Sequence, residues 1–471
     1  MSHSREFARL DGVAQAQLVA RGEVSAAELL EACAERIAAL DPLLRTITSL
    51  DLERARARRP APGPFAGVPF LVKDVTAYPG LPWSVGSRLL AGNVAGSGTP
   101  YSERLDAAGL VTIGKTATSE FGLLGSTETL LHGVTHNPWD LSLSAAGSSG
   151  GAAAAVAAGL VPLAHANDGG GSIRIPASVC GLFGFKPSRG RCVPASPGGS
   201  DFEAITSEHC VSRSVRDSAL LLACTEATGG ELPPVGYVQG PGARRLRIAA
   251  WTRTVFGEEP EPAVRRAHDE AVALCGELGH TVEPIAPPAV DGDALGDAFF
   301  LVAGAAVAGI VEAVGQARGR AVRAGEVEPF TWALVERFRR RGPAALVGAR
   351  AAFAAAVRSY RPVTDTYDVV LTPVLATTAW RLGHLSPVLA DEELLRRTAR
   401  AVGYTPIHNL AGCPAMSVPL HFPGEGAPIG AHFAAAPGAD ARLLELAYEL
   451  EAARPWHHRW APWSYPRLLA A

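Results

Sequence analysis

Apolar residues run unbroken from Val68 to Val72, with Gly67 in front and Lys73-Asp74 behind. A short continuous run bounded in this way reads as a strand buried on both faces. It leaves Lys73 at a strand end with little water around it. Before it the pattern is helical: Ser25-Ala26-Ala27-Glu28 has the spacing of a capping box and opens a helix through Leu40. Helices dominate up to about residue 60, and strand and helix signals then alternate from Gly67 to Cys224. Gly229 to Gly242, rich in Gly and Pro, reads as a surface connection. Leu246 to Trp251 begins a further strand, residues 261–279 form an amphipathic helix, and strands return at Val369 to Leu371 and Ala415 to Leu420. Between them, about 292–360 is Ala- and Arg-rich and strongly helical, which predicts a cap over a pocket where selectivity resides. Alternation of this kind predicts an α/β fold.

Two serine-glycine clusters interrupt the dense apolar sequence. Gly147-Ser148-Ser149-Gly150-Gly151 leads into an alanine-rich run, and Asn167-Asp168-Gly169-Gly170-Gly171-Ser172-Ile173-Arg174 follows shortly after. A flexible linker gains nothing from the intervening Val, Ile and Leu. Glycines in a buried segment instead mark close backbone approach or positive φ. Three glycines directly before a serine can turn several N–H groups toward one point, which suits an oxyanion beside a nucleophile. Such a serine needs a base. Lys73 qualifies, because burial disfavours the ammonium and brings a lysine toward neutrality. A lysine salt-bridged to an aspartate is the plainer alternative for Lys73 taken alone.

Taken together, these three elements resemble the amidase signature family, whose members hydrolyse amides with a Ser–cis-Ser–Lys triad. The family's strand G-[IV]-P-x-x-x-K-D stands here as Gly67 to Asp74, its double-serine turn as Ala146 to Gly151, and its [TN]-D-x-G-G-S-[IV]-R-x-P segment as Asn167 to Pro176. Ser148 and Ser172 lie 24 residues apart, the family's spacing. Further matches are Asn137-Pro138-Trp139, Gly181 to Pro187, Tyr367 to Pro373, and Pro406 to Leu420 with Asn409, Gly412 and Pro414. Only about 230–365 matches weakly. Within the family, Ala164 to Asp168 and Ile175 to Gly181 look most like the 6-aminohexanoate cyclic-dimer hydrolases that act on nylon oligomers.

The resemblance implies an α/β/α sandwich around a central mixed sheet, formed as a single domain over 1–471 with a signature core at 66–225. It implies Ser172 as nucleophile, Ser148 as a bridging serine held by a cis peptide, and Lys73 as base. Gly169, Gly170 and Gly171 would supply oxyanion amides together with Ser172. The implied activity is hydrolysis of a small-molecule amide through an acyl-enzyme, without metal or cofactor. Acyl transfer by the same triad is an alternative, and so is an amidotransferase-type subunit that takes ammonia from glutamine. Family members are often dimers.

Supporting residues have plainer parts. Asp168 and Arg174 are expected to pair and brace the turn that presents Ser172. Asp74 reads as a backbone anchor, and Ser149 with Gly150 opens the alanine-rich helix and satisfies its first N–H groups. Ala146 stands where glycine is usual. Because alanine resists positive φ, the turn is expected to differ slightly there.

Histidine chemistry is the rival. Thirteen histidines are present, but His457-His458 lacks zinc-helix spacing. His165, near the oxyanion segment, reads as a core or supporting residue, with a substrate-orienting part left open. Gly109 to Thr116 satisfies the P-loop pattern by spacing, yet Leu110 to Ile113 reads as a strand, so it is set aside as coincidence.

Composition fits a large enzyme. Of 471 residues 48% are hydrophobic, enough for a substantial core, and a net charge of −3 gives no field for nucleic acid or a membrane surface. The stretch Met1 to Phe7 has no signal-peptide character. The apolar runs Ala152 to Ala164 and Phe299 to Val311 read as too short and glycine-broken to span a bilayer. Seven scattered cysteines without a C-x-x-C fit reduced thiols in a cytoplasm.

Overall fold

The structure, a computed structural model, describes residues 4–196 and 199–468; Met1, Ser2 and His3 of the N-terminal stretch lie outside the described residues. Eleven strands form one sheet. From edge to edge they are Ile47–Leu50, Val111–Thr116, Pro69–Lys73, Leu163–Asp168, Ser207–Ser212, Phe183–Lys186, Ala415–His421, Ile429–Ala434, Val369–Pro373, Arg247–Ala250 and Thr281–Pro284. Pro69–Lys73 runs parallel to both its neighbours, the centre is antiparallel, and the far edge is parallel again. The sheet is therefore mixed, as the resemblance implied.

Alternation of side chains along each strand sorts the core into layers on the two faces. Leu71, Ile113, Ala164, Ala166 and Val211 pack with the helices Ala26–Leu44 and Gly150–Ala157. Phe70, Val72, Leu163 and Cys210 point the other way, against Tyr101 and Leu105. Farther along, Ile248, Val369, Leu371 and Met416 join one cluster while Ala249, Val370 and Ala415 join another. Helices thus cover both faces, because the sheet buries apolar side chains on both sides. In the helix Gly150–Ala157 every residue is buried. Its small side chains let it lie close to the sheet, and a Cβ on Gly151 would sit 2.5 Å from the Ala117 nitrogen.

Several boundaries differ from the sequence reading. Helix Ala26–Leu44 carries the expected capping box but continues through Pro42, closing on Arg45 in the left-handed region. Strand Ile47–Leu50, hidden among helical signals, pairs antiparallel with Val111–Thr116. That second strand is buried throughout, so the P-loop spacing at Gly109 to Thr116 falls on sheet. The apolar run near Phe299 belongs to a longer element than expected. Gly292–Ala317 is a 26-residue helix, long and apolar enough to cross a membrane; an 18-residue stretch of it has a mean hydropathy of 2.0, with 44% of that stretch buried in the fold. Here it packs along the helices Pro329–Arg341 and Ala345–Thr366 and closes over the site.

Candidate active site

Lys73 ends its strand on the same face as Leu71, the face on which Gly150–Ala157 lies, and the turn before that helix brings Ser148 to it. Lys73 Nζ donates to Ser148 Oγ at 2.6 Å and to Asn167 Oδ1 at 2.7 Å. Lysine and serine are both buried. Burial is the main force on the lysine and lowers its pKa to about 7, against the opposing pull of the Glu208 and Asp168 carboxylates. The peptide bond Gly147–Ser148 is cis. Ala146 occupies the left-handed region directly, at φ 57°, a conformation that glycine adopts at no steric cost.

Ser172 lies in the turn after strand Leu163–Asp168, and its backbone carbonyl accepts the Ser149 N–H at 3.3 Å, tying the two serine turns together. Asp168 and Arg174 pair as expected, both fully buried. Burial pushes the Asp168 carboxyl up, but the Arg174 guanidinium and its hydrogen bonds overrule this and hold it well below the ordinary range. Asp168 also accepts the N–H groups of Gly171 at 2.7 Å and Ile173 at 3.2 Å. Gly171 therefore departs from the oxyanion reading: its N–H is committed to Asp168, and it does not line the cavity. Gly169, Gly170 and Ser172 do line it.

Ser149 also differs from expectation. Its side chain makes no cap bond and instead donates to the Asn167 carbonyl at 3.3 Å. Thr127 Oγ1 accepts the Gly150 N–H at 3.0 Å in its place. Asp74 accepts from Ser84 and lies 3.5 Å from Lys115, an anchor between neighbouring strands. His165 is buried among Lys73, Glu208 and the Tyr101 ring.

From the C-terminal part come groups the sequence reading did not single out. Thr405 Oγ1 donates to the Gly170 carbonyl at 2.6 Å. Asn409, noted only as a matching position, accepts from Arg174 at 2.6 Å and donates to the Asp168 carbonyl at 2.7 Å. No local pattern signals a contact across more than two hundred residues.

A cavity of about 380 Å³ opens in front of Ser148 and Ser172. Its walls are Phe121, Leu124, Ile175, Phe202, Phe299 and Phe300, with Asp293, Arg337 and Arg396 among the charged lining. The helix Gly292–Ala317 contributes Leu295, Phe299 and Phe300. The helix Asp391–Ala401 adds a wall that was not expected. Phe202, Phe299 and Phe300 meet edge to face, with ring centres 5.8 and 5.5 Å apart. Among the described residues no group of His, Cys, Asp or Glu is arranged to hold a metal.

This arrangement can do serine-based acyl chemistry: two serines line an apolar cavity, and one of them is held by a buried lysine near neutrality. Comparison with known proteins points the same way. The family model described as Amidase matches residues 28–444. A putative amidase AmiC of Mycobacterium leprae is 39% identical over 457 residues, 95% of this chain and 96% of that protein. The 6-aminohexanoate-cyclic-dimer hydrolase of Paenarthrobacter ureafaciens is 36% identical over 486 residues, 95% of each. A solved structure of 6-aminohexanoate cyclic dimer hydrolase superposes with a TM-score of 0.87 at 32% identity, covering 96% of this chain and 99% of that one.

Proposed function

The chain belongs to the amidase family and hydrolyses carbon–nitrogen amide bonds, and on that premise we propose that it cleaves a linear or cyclic aliphatic amide through an acyl-enzyme on Ser172. Neutral Lys73 takes a proton from Ser148 while Ser148 takes one from Ser172. Ser172 Oγ attacks the amide carbon, and the amides of Gly169, Gly170 and Ser172 hold the oxyanion. As the carbon–nitrogen bond breaks, the proton returns through Ser148 to the departing amine. Water entering by the same route then releases the acid. The observation that carries this reading is the 2.6 Å contact between a wholly buried Lys73 Nζ and Ser148 Oγ, beside a cavity that Ser172 lines. The aromatic and aliphatic walls favour an apolar acyl chain, as does the likeness to a cyclic-dimer hydrolase.

In this reading the whole chain acts as one domain, with 66–225 carrying the chemistry and the helices of about 230–365 closing the cavity. It works in the cytoplasm as a homodimer, a setting in keeping with seven unpaired cysteines. The amidotransferase reading is not favoured, since an amidase and a cyclic-dimer hydrolase match nearly the whole chain at 39% and 36% identity.

The test is covalent labelling with a fluorophosphonate probe, followed by peptide mapping. Wild type is expected to carry the adduct on Ser172, with labelling abolished in Ser172→Ala and strongly slowed in Lys73→Ala. An adduct on another residue, or a folded wild type that resists the probe, overturns the assignment.

A further inference from the structure

Lys73 is gripped from a side that proton transfer does not use. The Asn167 oxygen that accepts from its Nζ belongs to an amide whose nitrogen lies 3.5 Å from Glu208 Oε1, at the edge of a hydrogen bond. Glu208 stands directly opposite Asn167 in the antiparallel pair Ser207–Ser212 and Leu163–Asp168, the position at which side chains of neighbouring strands meet. The other carboxylate oxygen, Oε2, lies 2.8 Å from His165 Nε2. His165 Nδ1 in turn accepts the backbone N–H of Lys73 at 3.2 Å. That bond fixes the tautomer: Nδ1 carries the lone pair, so the neutral ring holds its proton on Nε2 and donates it to Glu208. Burial, which lowers the His165 pKa, keeps the ring neutral. One carboxylate thus anchors the lysine at two points, its ammonium end through Asn167 and its backbone through His165.

We propose that Glu208 is the positioning residue of this site: it holds Lys73 on Ser148 through Asn167 and His165, and its charge sets the pH range over which the site works. The proposal rests on reading Lys73 as the base.

The surrounding charges single out Glu208. On strand Leu163–Asp168, Asp168 is matched by Arg174. On the lysine's own strand end, Asp74 is matched by Lys115 of Val111–Thr116. Among the described residues Glu208 faces neutral His165 and Asn167 and no lysine or arginine pairs with it, so its charge acts on Lys73 unmatched. Its side chain keeps 14% exposure, at the wall of a second cavity of about 700 Å³ that shares Asn167, Phe121, Leu123 and Phe202 with the first. An anion that no cation matches favours the ammonium of a buried lysine beside it.

Glu208→Gln keeps the size and the acceptor for His165 but removes the charge. The experiment is the pH dependence of kcat/KM, and of fluorophosphonate acylation rate, for wild type, Glu208→Gln, Glu208→Asp and Lys73→Ala. Glu208→Gln is expected to move the acid limb down by about one pH unit while lowering the plateau, because Asn167 loses its anchor. Glu208→Asp keeps the charge at a shorter reach, so its limb stays near the wild-type position with a lower plateau. An acid limb unmoved in Glu208→Gln overturns the proposal; if that variant does not fold, a displaced limb in Glu208→Asp does so. An acid limb that survives unchanged in the residual activity of Lys73→Ala instead overturns the base assignment, which keeps the two failures apart.

Discussion

Arg174 meets Asp168 edge-on through two parallel hydrogen bonds of 2.9 Å, Nε to Oδ2 and Nη2 to Oδ1, with both side chains fully buried. The fork geometry suits a guanidinium and not an ammonium. Its remaining donors reach the Thr405 carbonyl and Asn409, so the pair fastens the Ser172 segment to the C-terminal part of the chain. Removing the guanidinium leaves an uncompensated buried carboxylate, which costs about 3–5 kcal/mol. Arg174→Ala is therefore expected to lower the urea midpoint sharply at unchanged slope, with Arg174→Lys in between. A variant as stable as wild type would show that the pair does not brace the fold.

Gly171 carries the backbone that this bracing shapes. It sits at φ +134°, and a Cβ there would meet Thr405 Oγ1 at 2.4 Å and Ile175 Cδ1 at 2.6 Å. Only glycine tolerates both constraints. Gly171→Ala must shift the loop that carries Gly170 and Ser172. The expected loss is about 10² to 10³ in kcat, the size of a lost oxyanion donor, in protein whose circular dichroism still reports a folded chain. Wild-type turnover in this variant would remove the loop from the catalytic account.

How far the sequence reaches into this site depends on range. Lys73, Ser148 and Ser172 are legible because each sits in a segment whose glycines and apolar neighbours have few other uses, and the strand that ends in Lys73 falls where the pattern put it. Ser149 shows the limit of local rules: a serine before a helix is a good cap candidate, yet Thr127 holds that N–H and frees the serine for Asn167. The same limit hides the fate of the Gly171 N–H, since composition does not say which of several amides a nearby carboxylate will take. Strand Ile47–Leu50 is four partly exposed residues between helices, too short for a period to emerge. Thr405 and the wall from Asp391–Ala401 reach the site by tertiary packing alone. Glu208 sits in the mixed run Ser207-Glu208-His209-Cys210, and nothing in that run marks the carboxylate facing the lysine.

A buried lysine with a pKa near 7 gives activity a definite pH dependence. The ammonium cannot accept the Ser148 proton, so kcat/KM is expected to fall as pH drops through about 7. Stopped assays of an aliphatic amide between pH 5 and 9 measure the limb. A flat profile through neutrality would place the working base elsewhere.

Phe299 lies against Gly170, where a Cβ would stand 2.9 Å from the ring, and it joins Phe202 and Phe300 along the cavity wall. Trimming it removes apolar surface from an acyl chain while leaving the proton path untouched. Phe299→Ala is expected to lower kcat/KM about tenfold for a six-carbon acyl amide, some 1.4 kcal/mol, and much less for acetamide. Equal losses for both substrates would mean that the ring positions the loop and not the chain.

Glu328 illustrates a stability effect at a distance from the chemistry. It is buried beside Glu120, whose Oε2 accepts the Glu328 N–H at 2.8 Å, while Glu328 Oε1 accepts from the Leu130 N–H at 2.9 Å. Burial first, and then the Glu120 charge, raises the Glu328 pKa to about 8. An acid that binds its proton more tightly folded than unfolded stabilises the fold fully below its ordinary range near 4.5, and that contribution is lost as pH rises through about 8. Each tenfold change in proton affinity is about 1.4 kcal/mol, so the loss by pH 9 amounts to a few kcal/mol. Glu328→Gln keeps the acceptor for Leu130 and has no charge to develop. Its stability relative to wild type is expected to be near equal at pH 5 and clearly greater at pH 9, read from urea unfolding at both values. A difference that stays constant between them would mean that the carboxyl remains ionised throughout and that Arg88, not burial, governs it.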